Sequence, residues 1–122
     1  MDAHTLVNLF HILLVVPFFL YVGTQRIDIP EIIFPVLLGL GVIVTLYHGY
    51  KAAMRYAAGS SMIWVNMIHA LYLGPLLMYI GYKKQETPRY AFEVLLLFAF
   101  AAGGYHLYEM AAYTVFKQKS AN

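Results

Sequence analysis

The chain has 122 residues, of which 61% are hydrophobic and 11% charged, with a formal net charge of +2. So large an excess of apolar over charged residues lies outside the range of soluble domains. A net charge this small makes no case for nucleic acid as a partner. The absence of cysteine excludes disulfides, iron–sulfur clusters, thiolate chemistry and cysteine-ligated zinc.

Four apolar stretches are long enough to cross a bilayer, taking a rise of about 1.5 Å per residue and a hydrocarbon core of about 30 Å. They run over Leu6–Val22, Ile32–Lys51, Ile63–Tyr82 and Tyr90–Tyr113. The first follows MDAHT, which has no Lys or Arg, and no A-x-A site follows it, so it reads as a retained helix rather than a signal peptide. Pro17 falls mid-helix and predicts a kink. The turn GTQRIDIPE comes next, with Gly23 suited to a helix C-terminus and Pro30 to the first turn of the following helix. After the second stretch, KAAMRYAAGSSM carries Gly59-Ser60-Ser61 as a helix break and N-cap. The third stretch repeats the mid-helix proline at Pro75, and the turn GYKKQETPR repeats the glycine and proline at Gly81 and Pro88. Little chain is left outside the four stretches to form a soluble domain.

The two halves are copies of one another. A shift of 58 residues, without a gap, matches sixteen positions: residues 7, 8, 11, 13, 17, 21, 23, 30, 34, 36, 37, 38, 47, 48, 50 and 53 with their counterparts. Chance in so apolar a composition gives about four or five, so the sequence is internally duplicated. The predicted fold is an all-α integral membrane protein of four transmembrane helices. It consists of two tandem-duplicated helical hairpins, residues 1–58 and 59–122, related by a pseudo-two-fold axis along the membrane normal and forming one four-helix bundle. An even number of crossings puts both termini on one side. Basic residues divide evenly, with Lys51, Arg55, Lys117 and Lys119 on that side and Arg26, Lys83, Lys84 and Arg89 on the other. The positive-inside rule therefore decides nothing, and the terminal side is taken as cytoplasmic.

The duplication kept polar residues that a bilayer penalises. His11 matches His69, His48 matches His106, Asn8 matches Asn66 and Tyr47 matches Tyr105. Polar groups within a span rarely face lipid, so these eight should point inward and converge. All four histidines fall in the half of the membrane nearer the termini, in two sublayers about one turn apart. Asn8 shares a helix face with His11, and Asn66 with His69. Small residues precede each late histidine at the same offsets, Gly41 and Thr45 in one repeat and Ala99 and Gly103 in the other. They leave room for another backbone or a flat ligand. Tyr50 and Tyr108 are either relay groups of the cluster or belt residues at the headgroups, the level also expected of Trp64 and of Tyr21 and Tyr79 on the opposite side. His4 has no counterpart and is expected at the interface. Lys51 matches Glu109, which either pairs with Lys51 across the pseudo-axis or joins the histidines through the His106-x-x-Glu109 spacing.

Neutral imidazole is the commonest transition-metal ligand, suited to iron, copper and zinc. The leading expectation is a haem b or transition-metal site held by His11, His48, His69, His106 and Glu109, with a role in redox or electron transfer. Asn8, Asn66, Tyr47, Tyr105, Tyr50 and Tyr108 would orient the ligands or relay protons. A bis-histidine haem would use His11 with His69, or His48 with His106. The second expectation is an oligomeric proton or ion conduit, since histidine, tyrosine and glutamate chains relay protons. The third is a structural subunit of a larger membrane assembly, with histidines that only pair helices. The expected partners are the lipid bilayer and a second copy or a larger complex. No CxxCH or HExxH motif, nucleotide-binding loop, nucleophile–base pair or TVGYG-like filter occurs, so the sequence assigns no catalytic residue.

Overall fold

A computed structural model describes residues 1–121 as four long helices, with no strand among them. Helix α1 runs over Ala3–Asp28, α2 over Ile33–Ala57, α3 over Ile63–Glu86 and α4 over Arg89–Ala121. Each is long and apolar enough to cross a membrane. The apolar faces turn outward as much as inward: Leu13, Leu14, Ile43, Leu46, Leu71, Leu97, Phe100 and Leu107 are all exposed. Soluble domains rarely leave so much contiguous apolar surface in water.

The helix ends follow local chemistry. Asp2 caps α1, its Oδ1 accepting from the Thr5 amide at 2.9 Å, which satisfies one orphan donor of the first turn. At the α2–α3 junction Gly59 adopts a φ of +68°, as a helix-ending glycine does. Ser60 Oγ then accepts from the Met62 amide at 3.1 Å. The two remaining turns differ from expectation. The helical backbone continues past Gly23 and Gly81 to Gln25 and Lys83, and the left-handed residues are Arg26 (φ 56°) and Lys84 (φ 52°), at matched positions. Gly81 instead permits close packing: an added Cβ there would come within 2.6 Å of the Phe34 carbonyl oxygen. Pro30 and Pro88 stand just ahead of α2 and α4, and their carbonyls accept from the Ile33 and Ala91 amides at 2.9 and 3.1 Å.

The mid-helix prolines act in a way the sequence did not specify. Proline removes one backbone donor and its ring clashes with the carbonyl four residues earlier. In both α1 and α3 a π turn precedes the proline, over His11–Val15 and His69–Leu73. The Val16 and Gly74 amides bond back five residues, to the carbonyls of His11 and His69. The wider turn absorbs the misfit, and each begins at a histidine.

The chain forms two compact units, each taking one helix from each half of the chain. Unit one comprises residues 1–24 and 93–121 and pairs α1 with α4. Unit two comprises residues 25–92 and pairs α2 with α3. In unit two the helices run antiparallel and approach closely: Cβ atoms added at Gly41 would meet the Gly74 carbonyl oxygen at 2.7 Å, and one at Gly74 would collide with Thr45 Oγ1. Phe34, Leu37, Leu77 and Ile80 are fully buried there. In unit one the size order at this crossing is reversed. Gly103 faces Val16, and a Cβ on Gly103 would sit in ordinary contact, 3.7 Å from Val16 Cγ1.

Candidate functional site

Each unit brings two of the predicted histidines together. In unit one the rings of His11 and His106 stack, with centroids 4.1 Å apart and planes 18° from parallel. In unit two His48 and His69 stack at 4.2 Å and 23°. The expected sublayers one turn apart are therefore not how the rings lie. The reason is side-chain direction: Cα–Cβ bonds tilt towards the helix N-terminus. On antiparallel helices the two histidines lean towards each other and the offset between their Cα atoms closes. The stacking partners also differ from the symmetric pairs expected from sequence.

Hydrogen bonding is the same in both units. His106 donates from Nδ1 to Asn8 Oδ1 at 2.7 Å, and His48 from Nδ1 to Asn66 Oδ1 at 2.9 Å. His11 donates from Nδ1 to the Val7 carbonyl at 2.8 Å, and His69 to the Val65 carbonyl at 2.6 Å. Oxygen acceptors at all four Nδ1 atoms select the Nδ1–H tautomer, which places each neutral ring's lone pair on Nε2. Asn8 and Asn66 are nearly completely buried, at 3% and 4% exposure. His106 is buried, whereas His11, His48 and His69 are half-buried.

Beyond the asparagines the units diverge. In unit one Asn8 donates from Nδ2 to His4 Nδ1 at 3.4 Å, and His4 donates from Nε2 to Glu109 Oε2 at 3.2 Å. A chain of side chains thus links His106, Asn8, His4 and Glu109. His4, expected only at the interface, is a member of the site. Its signal was its placement one turn before Asn8, on the same face. Glu109 meets His4 rather than His106. In unit two Met62 occupies the position matching His4 and Lys51 the position matching Glu109. There the buried Asn66 Nδ2 has no hydrogen-bond partner among the described residues.

Of the tyrosines, Tyr47 and Tyr105 lie edge-on to the histidines that follow them, at 5.1 and 5.2 Å between centroids. Tyr47 is 53% exposed, so it does not point inward as expected. Consecutive residues on a helix are about 100° apart, which turns Tyr47 away from the face His48 occupies. Tyr50 and Tyr108 are exposed, as belt residues are. Among the described residues no three His, Asp or Glu side chains gather closely enough to hold a metal ion. Comparison of the chain with protein-family models, curated proteins and solved structures yields no match.

Proposed function

We propose that this is a multi-pass membrane protein that binds a transition metal or haem, with the Nε2 atoms of His11 and His106 in one unit and of His48 and His69 in the other as its candidate ligands. The observation that carries this is the uniform hydrogen bonding of the four Nδ1 atoms. Histidines that ligate metals through Nε2 donate their other N–H to a carbonyl or carboxylate oxygen, which fixes tautomer and ring orientation.

Within each unit the stacked imidazoles, His11 with His106 and His48 with His69, would hold the group, which would supply redox or Lewis-acid chemistry there. In this reading the two repeats are fused hairpins related by a pseudo-two-fold axis along the membrane normal, with both termini on the cytoplasmic side. The outward leucines and phenylalanines of all four helices face lipid.

The second reading is proton handling, favoured by the hydrogen-bonded chain from the half-buried Glu109 through His4 and Asn8 to the buried His106. Elemental mass spectrometry of protein purified gently in detergent, with an absorption spectrum of the same sample, decides between them. Near-stoichiometric iron, copper or zinc supports the metal reading. A well-folded, metal-free protein sinks it, and proton flux into liposomes across pH 5 to 8 is then the next measurement.

A further inference from the structure

The unpartnered Asn66 Nδ2 marks a place where the two units differ chemically at matched positions. A buried amide donor without an acceptor is destabilising, and native proteins rarely carry one. In unit one the same donor is satisfied by His4, backed by the Glu109 carboxylate. In unit two the acceptor has been replaced by a thioether and the carboxylate by an ammonium, through Met62 and Lys51. Where unit one carries its own acceptor and negative charge, unit two offers a donor and a positive charge.

The register of α2 against α3 places these groups together. Arg55 donates from Nη1 to the Met62 carbonyl at 3.1 Å, so its face of α2 looks towards the start of α3. Lys51 lies one turn earlier on that face. His48, one turn earlier again, reaches Asn66. Helical spacing thus sets Lys51 between the two α2 residues that reach Asn66 and Met62. Lys51 is half-buried and Met62 exposed, whereas Asn66 is buried.

We propose that unit two binds a phosphate group here, one oxygen accepting from Asn66 Nδ2 while Lys51 pairs with the charge. Ammonium and amide donors suit a phosphate, whose oxygens accept without needing a donor in return. The phosphate comes either from solution or from a phospholipid headgroup. The site does not depend on metal at the histidines.

The test is the side-chain carboxamide signal of Asn66, followed by NMR on the full chain in a maltoside detergent, which contains no phosphate. One titration uses sodium phosphate and a second uses mixed micelles containing phosphatidic acid. The signal should shift and saturate. A response to free phosphate assigns a soluble anion, and a response to the lipid alone assigns the headgroup. Lys51→Gln should weaken binding at least about tenfold, the equivalent of one charge-assisted hydrogen bond. The pair Met62→His with Lys51→Glu rebuilds the arrangement of unit one and should abolish the response while raising thermal stability. An Asn66 signal that moves with neither titrant overturns the proposal, as does an unchanged response in both variants.

Discussion

His106 and Asn8 are separated by 98 positions in sequence, yet the His106 Nδ1–H donates to Asn8 Oδ1 at 2.7 Å within a buried contact. This bond joins the first helix to the last, and His48 with Asn66 joins the second to the third. Asn8 Nδ2 then donates to His4 at the helix start, whereas Asn66 Nδ2 meets no acceptor among the described residues.

Truncation of the asparagines should therefore be unequal. Asn8→Ala removes the acceptor of His106 and the donor to His4, whereas Asn66→Ala removes one made bond and one unmade. Leaving a histidine N–H without its acceptor costs about 1–3 kcal/mol at the buried His106 and less at the half-buried His48. Asn66→Ala also relieves an orphaned donor, so it should be the milder change by about 1 kcal/mol. Unfolding in detergent, followed by circular dichroism, measures both. Equal losses would mean that Asn66 Nδ2 is satisfied.

The helix crossings predict a second asymmetry. Gly74→Ala drives a Cβ into Thr45 Oγ1, on a backbone that cannot retreat, and should destabilise by about 1–3 kcal/mol. Gly103→Ala finds room beside Val16 and should be neutral or mildly stabilising, since alanine is the better helix former. Thr45→Gly combined with Gly74→Val copies the size order of unit one into unit two. If packing at this crossing is the whole cause, that pair should be more stable than Gly74→Ala alone.

At the N-terminus, hydrogen bonds from the Tyr113 hydroxyl and then the Thr5 amide hold the Asp2 carboxyl at about 2, below its ordinary 3.8. A depressed carboxyl contributes stability that is fully present above pH 3.8 and is lost as pH falls through 2. Hydrogen exchange at the Thr5 amide should thus stay slow at pH 5 and lose its protection, after correction for intrinsic rates, only towards pH 2. Asp2→Asn should remove that pH dependence. An unchanged profile in the variant would assign the protection to the helix alone.

On the proposed metal reading, the histidines and tyrosines separate by geometry. His106→Ala and His48→Ala should each lower metal content, while Tyr50→Phe and Tyr108→Phe should leave it at the level of the unaltered chain, because both rings are exposed. Metal retained in full after both histidine changes would place it elsewhere.

The all-helical architecture with four long apolar helices was legible in the sequence, because length and composition suffice to set it. So were the matched polar residues, since Asn8, His11, Asn66 and His69 stand out against an apolar background. Gly23 and Gly81 misled, because glycine serves close helix approach as readily as a helix end, and only the position of Phe34 distinguishes the two at Gly81. The π turns at His11 and His69 were hidden for a similar reason: proline announces a misfit but not the turn that relieves it.

Sequence by itself determined which residues are polar, at what helical spacing, and that they recur at a fixed interval. It could not determine partners, because stacking of His11 on His106 and of His48 on His69 depends on which helices lie side by side and on the lean of their side chains. Those are properties of packing between segments distant in sequence. The same is true of Asn66: its neighbour Met62 can be read from the chain, but that its Nδ2 is buried without an acceptor exists only once α2 closes over α3.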